Sequence, residues 1–457
     1  MKTMQSWLWG GVLALGLVMC PLAVHAQLAN LFVFIEFGDA DLGLINTETD
    51  QLIQVHLPSM TGWPGSTPQH AWVPADGTTI YVSSDATDVD PASVVVISVE
   101  SIEWDAGRAN LAIDKVLTLD PPATSADFPL VEEIDPRQPV RNWGCSWRPA
   151  QSTRQTDSGG QPIATWTQPL FTQGHGPSFL PGSPFMYLTQ WTDNRIRVID
   201  SSTNDFAAVD PLSFDETSRQ HHGVNCNLSG THCLGTGYFY DQNAIDVYIP
   251  DMQTGALSLA RSIELCEGQA CAAFTHYTVW LDDRFALTAT MQFGPTSLTP
   301  PENQVIGPSV WLLDMDDEAS LQGIKIIDPA VGPDAPGVFR SASDVQVAGP
   351  GPKLYIAEED SLDGSFGEDG YISIFDISDP RQPRFLKRLK PGNELPEDYC
   401  VSHAMTATPD GQFLYVGSYA CSYIVKIDTT TDEVVKIYGP ADGLNRPHGA
   451  FIAGALR

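Results

Sequence analysis

The sequence predicts an all-β fold, a seven-bladed β-propeller. Units of 45 to 68 residues repeat along most of the 457-residue chain, and each contains short apolar segments bounded by Pro, Gly, Asp and Ser. Such segments are typical of strands and turns, and strands repeated at this period are typical of propeller blades. The 38 glycines and 35 prolines fit a turn-dense chain, and we find no convincing amphipathic helix.

The unit that begins at His403 shows the strand order of a blade most clearly. Its inner strand reads HAMTAT, the turn PDG follows, and the second and third strands read FLYVGSY and YIVKID. Four other units repeat this order of turn, second strand and third strand: PADG with TIYVSS and SVVVIS, LPGSP with FMYLTQW and RIRVID, LDDR with FALTAT and VWLLD, and GPGP with KLYIAEED and YISIFD. The repeats therefore predict one domain made of similar blades.

The last unit supplies a single strand around His448, in the segment RPHGAFIAGALR, and residues 31–57 carry three strands that lack an inner one. We expect the C-terminal strand to pair with these N-terminal strands, which closes the ring and removes exposed sheet edges. Seven blades result. The interval from His70 to His175 spans about two repeats, so an eighth blade is the alternative; we favour an insertion at residues 120–170, which could cover the channel as a lid.

Residues 1–26 have the features of a secretory signal peptide. A cationic start precedes an apolar run, and Ala26 ends a small-residue cleavage site. We expect residues 27–457 to form the mature propeller domain in the periplasm or outside the cell. No later segment approaches the ~20 apolar residues that span a bilayer, so we predict no membrane span.

The eight cysteines support an oxidising compartment. Three pairs are centred on predicted hairpin turns, and this symmetry predicts three local disulfides: Cys226–Cys233, Cys266–Cys271 and Cys400–Cys421. Cys145 remains, in the insertion, as a free thiol, a soft copper ligand or a buried residue. The chain has 56 acidic and 24 basic residues, and a net charge of −32 argues against nucleic acid as a partner.

Six histidines and one aspartate recur at the same place in the units. Each stands 11 or 12 positions ahead of the anchor residue of the second strand, except the last, whose unit has no later strand. Residues in equal register on inner strands should meet in the central channel. The set is His70, His175, His222, His276, Asp344, His403 and His448, and the anchors are Tyr81, Tyr187, Cys233, Leu287, Tyr355 and Tyr415.

Imidazoles gathered in one channel favour a transition-metal site, because neutral imidazole binds copper, zinc, iron and nickel. Six exceed the four ligands of structural zinc, which indicates several ions or one ion with spare histidines. In the alternative, the histidines only bond neighbouring blades or water. Spacing does not separate His222 from His221; we choose His222 because glycine follows it, as it follows His175 and His448. The acidic run 358–360 could supply a general base or a calcium site, but a solvated loop is the simpler interpretation.

The quoted repeats are similar to YVTN-type propeller repeats. The in-register histidines resemble the copper domain of nitrous-oxide reductase and, more closely, copper-dependent thiocyanate dehydrogenase. The segment FDISDPRQPRFLKRL resembles one in the selenium-binding protein and methanethiol oxidase group. These resemblances cover most of the mature chain. They imply more than one copper ion, with Asp344 as a further ligand or a proton acceptor.

The expected function is therefore that of a secreted copper-dependent oxidoreductase. Its substrate would be a small sulfur- or nitrogen-containing compound, and its electrons would pass to a separate acceptor such as a cytochrome. Only nine residues follow His448, which argues against a cupredoxin domain like that of nitrous-oxide reductase, and the motifs CxxCH, HExxH and GxSxG are missing. Two alternatives remain: a non-catalytic scaffold that binds protein or envelope, and a copper storage or delivery protein.

Overall fold

The computed structural model describes residues 30–74, 79–85, 91–119, 155–156, 162–164, 174–190, 195–209, 212–213, 221–237, 244–265, 273–292, 309–316, 323–327, 342–358, 370–418 and 420–452. These residues form seven sheets of at least four strands, arranged as a β-propeller. They also contain three short 3₁₀ helices, Leu57–Ser59, Trp104–Ala106 and Pro440–Asp442. Within these ranges, none of the helices is long and apolar enough to cross a membrane.

The first three blades follow the chain from the innermost strand outwards. Blade 1 contains β4 (Thr67–Trp72), β5 (Thr79–Asp85), β6 (Ser93–Glu103) and β7 (Arg108–Thr118). Blade 2 contains β10 (Gly174–Phe179), β11 (Phe185–Gln190), β12 (Arg195–Asp200) and β13 (Asp205–Phe206), with β14 (Leu212–Ser213) also pairing with β12. Blade 3 contains β15 (His221–Cys226), β16 (Cys233–Gly237), β17 (Ala244–Pro250) and β18 (Leu257–Glu264).

The next three blades repeat the same order. Blade 4 contains β19 (Ala273–Trp280), β20 (Phe285–Gln292), β21 (Ser309–Asp314) and β22 (Ile324–Ile327). Blade 5 contains β23 (Ala342–Ala348), β24 (Lys353–Glu358), β25 (Tyr371–Asp376) and β26 (Arg384–Leu389). Blade 6 contains β27 (Ser402–Ala407), β28 (Phe413–Ser418), β29 (Tyr423–Asp428) and β30 (Glu433–Tyr438).

Blade 7 closes the ring from both ends of the chain. It contains β31 (Pro447–Ile452), β1 (Leu31–Glu36), β2 (Asp41–Asn46) and β3 (Leu52–His56). The β31 and β1 strands are antiparallel, with Ile35 opposite His448 and Glu36 opposite Pro447. The predicted seven-bladed fold and its closure are therefore confirmed.

The region between blades 1 and 2 contributes no further four-stranded sheet among the described residues. Only a separate two-stranded pair lies there, β8 (Gln155–Thr156) with β9 (Pro162–Ala164). The rest of the predicted insertion, including Cys145, lies outside the described residues, so the lid stays a prediction. The signal segment 1–26 also lies outside them.

Anchor tyrosines of the second strands connect blade 2 to blade 3 and blade 5 to blade 6. The Tyr187 hydroxyl donates to the Gly255 carbonyl at 3.0 Å, and the Tyr355 hydroxyl donates to Asp432 Oδ1 at 2.6 Å. Both acceptors lie in the turn after the third strand of the following blade, and both adopt positive φ angles, +75° and +58°. The recurring tyrosine in the sequence therefore marks a contact between blades at a fixed turn.

Two of the three predicted disulfides are present. Cys226 is bonded to Cys233 and Cys400 to Cys421, each within one blade. The predicted pair of Cys266 and Cys271 lies outside the described residues. Disulfides persist in oxidising compartments, so the two bonds are consistent with a location outside the cytoplasm.

Candidate metal centre

The six in-register histidines meet in the central channel and form a closed ring. Neighbouring imidazole centroids lie 3.9 to 5.1 Å apart. The order around the ring is His70, His175, His222, His276, His403 and His448. All six are nearly buried, the most exposed being His175 at 9%. The widest spacing, 5.1 Å, separates His276 from His403, where blade 5 contributes Asp344 instead of a histidine.

Every inner strand carries a β-bulge at the candidate ligand. In blade 2 the shift in register falls between His175 and Ser178, and in blade 3 it falls between His221 and Gly223. The other five inner strands also gain one residue relative to their partners within two positions of the candidate ligand. A bulge bends its strand and changes where a side chain points. Seven bulges in register therefore turn these side chains toward one another.

The bulge in blade 2 depends on Gly176, which follows His175. Its φ of +53° lies in the left-handed region, and a Cβ there would lie 2.4 Å from the His222 carbonyl oxygen. Only glycine fits this close approach without moving the neighbouring inner strand. The close packing of the inner strands of blades 2 and 3 therefore explains the glycine that follows His175 in the sequence.

Threonines on the second strands hold adjacent inner strands together. Thr189 Oγ1 lies 2.6 Å from the His175 carbonyl oxygen and 2.8 Å from that of His222, so its single proton is shared between them, while Thr236 donates to the carbonyl oxygen of His276 (3.0 Å). Each hydroxyl bridges its own blade and the next. These contacts fix the spacing of ligand-bearing strands before any ligand binds.

Backbone carbonyls also set the tautomers of two imidazoles. His222 Nδ1 lies 3.2 Å from the His276 carbonyl oxygen, and His448 Nδ1 lies 3.2 Å from that of Gln69. A carbonyl only accepts, so each Nδ1 carries the proton and each Nε2 bears the lone pair. Both rings are therefore prepared to bind a metal through Nε2.

Three ring members could share one metal ion. His70, His175 and His448 each offer one nitrogen, and these atoms lie within 4.8 Å of one another. Burial and then the neighbouring imidazoles hold the pKa of His70, His222 and His448 well below the usual range, and they lower the pKa of His175 to about 3. These four imidazoles are consequently neutral at neutral pH, which is the protonation state that metals require. The donor set fits a transition metal.

Asp344 lies at the blade 5 position, but its carboxylate is engaged by backbone. The Val345 N–H donates to Oδ1 at 2.8 Å, and the Met405 N–H of blade 6 donates to Oδ2 at 2.7 Å. Met405 is two residues beyond His403 on the bulged strand. The geometry therefore gives Asp344 a role in holding the strand that carries His403.

Side-chain contacts distinguish the two adjacent histidines of blade 3. His222 lies in the ring, whereas His221 points into blade 3, where its Nε2 lies 2.8 Å from the Tyr248 hydroxyl.

Glu358 is fully buried and forms an ion pair with Arg388 at 2.9 Å. The expectation of a solvated loop is therefore wrong for Glu358, because its carboxylate needs a cationic partner inside the blade. Glu359 and Asp360 lie outside the described residues.

Tyr277 is a functional candidate that the register argument missed. Its ring is perpendicular to the imidazoles of His276, with centroids 4.7 Å apart, and of His222, with centroids 5.2 Å apart. Burial and then the Asp344 carboxylate raise its pKa, so the phenol stays protonated. The signal was present in the sequence, because the other candidate ligands are followed by smaller residues without hydroxyl groups: Ala71, Gly176, Gly223, Val345, Ala404 and Gly449.

The comparisons with known proteins support the fold alone. No family description matches the chain, and no curated protein matches it. A functionally unknown protein from Desulfotomaculum acetoxidans is similar in structure, with 12% identity, a TM-score of 0.57 and coverage of 92% of this chain and 98% of that one. The periplasmic gluconolactonase of Pseudomonas aeruginosa has 11% identity, a TM-score of 0.54 and coverage of 92% and 98%. At such low identity, the likeness extends to the propeller fold alone.

Proposed function

We propose that the protein is a copper-dependent oxidoreductase that acts on a small sulfur- or nitrogen-containing compound at the histidine ring. The single observation that carries this proposal is the closed ring of six imidazoles, three of which offer nitrogens within 4.8 Å of one another. A structural zinc site uses four ligands, so this ring offers more imidazoles than such a site needs.

In this proposal, His70, His175 and His448 hold the first ion, and His222, His276 and His403 provide ligands for further ions or for substrate. When bound, copper supplies a redox centre and a Lewis acid, which suits the oxidation of a small molecule. Nearly complete burial of the histidines limits bulk water around them. Electrons leave to a separate acceptor such as a cytochrome. The resemblance to thiocyanate dehydrogenases makes thiocyanate the first substrate to test, in a periplasmic or secreted protein.

Elemental analysis of the full chain tests the metal. The protein is stripped with a chelator, incubated with equal Cu(II) and Zn(II), desalted and analysed beside a His175→Ala/His403→Ala variant. His56→Ala is the matched control, because His56 is an exposed histidine that bonds Asp41 outside the ring. We expect at least one tightly held copper per chain in the wild type and the control, and loss of copper from the double variant.

The other outcomes separate the alternatives. Equal copper in the double variant would place the binding site elsewhere. No transition metal in the wild type would leave a non-catalytic scaffold as the better account. Copper that passes readily to a chelator, with no spectral change on adding thiocyanate, would favour storage or delivery. Oxidation of thiocyanate with an added electron acceptor, lost in the double variant, would support the enzyme.

A further inference from the structure

Tyr277 differs from every residue at the matching place in the other blades. The positions directly after the other six candidate ligands hold glycine, alanine or valine, and blade 4 alone holds a phenol. Tyr277 lies inside the blade 4 bulge, next to His276. A large polar side chain at this crowded level of the channel needs room that its neighbours must provide.

The neighbours hold the Tyr277 ring in one place. Its plane stands at 84° to the His222 ring and 85° to the His276 ring. A Cβ on Gly223 would lie 3.7 Å from Tyr277 Cε1, so that inner strand packs against the edge of the phenol ring. Tyr277 is only partly buried, whereas His222 and His276 are almost fully buried. The phenol therefore packs beside His222 and His276, at the level of the histidine ring.

Where ring nitrogens present lone pairs, as Nε2 of His222 and of His448 does, a bound anion needs a separate hydrogen-bond donor. His222 and His448 spend their Nδ1 protons on backbone carbonyls, and both Asp344 oxygens accept backbone N–H groups. A phenol is a neutral donor at physiological pH.

We propose that Tyr277 is a specificity-determining residue that donates a hydrogen bond from its hydroxyl to a small anion bound at the histidine ring. This inference rests on the proposed function and assigns the anion's hydrogen-bond donor to blade 4. The anion's lone pair, on nitrogen or sulfur, accepts the proton of the hydroxyl without transfer. The phenol thereby selects small anions over neutral molecules that cannot accept a strong hydrogen bond.

Anion titration of copper-loaded protein tests this role. The wild type, Tyr277→Phe and Tyr187→Phe are loaded with copper, quantified by elemental analysis and titrated with azide and then thiocyanate, following the charge-transfer absorption. Tyr187→Phe is the matched control, because it also loses one buried hydroxyl, which bonds Gly255 between blades. We expect unchanged copper content in all three and a Kd for each anion raised by about tenfold or more in Tyr277→Phe alone.

Each other outcome has a defined meaning. Equal anion Kd values in Tyr277→Phe and the wild type would overturn the inference and leave the copper proposal standing. Loss of copper from Tyr277→Phe alone would show that the tyrosine supports the histidines, which also overturns it. An equal rise of Kd in Tyr187→Phe would assign the effect to general loosening. A wild type without copper would refute both proposals together.

Discussion

The change Asp344→Asn separates a positioning role from a metal-ligand role. The carboxylate accepts one N–H from Val345 and one from Met405 on the neighbouring blade. An asparagine offers one oxygen, so its NH₂ group must face one of these two donors. The variant keeps size and shape but leaves one buried backbone N–H without its acceptor.

The expected magnitude follows from that lost contact. Hydrogen bonds to charged groups contribute about 1.5–3 kcal/mol, and an unsatisfied buried donor costs a similar amount. We take a loss of about 2–3 kcal/mol at the contact that is broken. Since 1.4 kcal/mol is a factor of ten, amide exchange should become about 30- to 140-fold faster in the metal-free variant at Val345 or at Met405, whichever loses its acceptor.

Hydrogen exchange of metal-free protein, read on peptides that contain Val345 and on peptides that contain Met405, measures this directly. Asp410→Asn is the control, because Asp410 accepts bonds only within an exposed turn of the same blade. The use of metal-free protein removes any contribution from ligation. Unchanged exchange rates at both Val345 and Met405 in Asp344→Asn, together with lost copper binding, would refute the reasoning and return Asp344 to the role of a ligand.

Two further predictions concern the histidine ring. His70, His175, His222 and His448 have folded pKa values below the unfolded value of about 6.5, so the unfolded chain takes up protons that the folded chain excludes. The unfolding free energy of metal-free protein should therefore fall below pH 6.5, by up to about 1.4 kcal/mol per pH unit for each histidine, and for His175 down to about pH 3. Denaturant titrations from pH 7.5 to 5 measure it, and His175→Gln should have the shallower slope; an equal slope would contradict the cause. Gly176→Ala should lose more than about 2 kcal/mol and its copper, because its φ is positive and its new Cβ meets the His222 carbonyl. Gly392→Ala is the control, with a φ of +71° and open space around the new Cβ, and an equal loss in both would assign the effect to φ alone.

The blades could be predicted from the sequence because their signals are local. A turn, an apolar second strand and a third strand ending at aspartate lie within one unit. The unit around His448 has a single strand, so its remaining strands had to come from residues 31–57. The register of the histidines was visible for the same reason. What the register could not reveal is the bulge, because one inserted residue leaves a spacing of 11 or 12 to the anchor almost unchanged.

The side-chain partners could not be predicted from the sequence, because the signals within one unit do not show which distant residues meet. Register and the family resemblance predict Asp344 as a ligand or proton acceptor, but its contact with the Met405 N–H joins residues 61 positions apart. The repeat does not single out Tyr277, because the tyrosine departs from the residue types that recur at this position. Glu358 was expected in solvent because its partner, Arg388, lies two strands away.

The histidine ring depends on the pairing of β31 with β1, because His448 lies on β31. Gln69 and His448 lie in contact across 379 positions of sequence, and the trio with nitrogens within 4.8 Å contains His448 and His70, which directly follows Gln69. Any ion shared by His70 and His448 would link strand β31 to blade 1 across the seam between β31 and β1, so its measured affinity would include the free energy of keeping that seam closed. Metal affinity would then depend on closure of the propeller. The rate of transient opening between β31 and β1 would set the rate at which the ion dissociates.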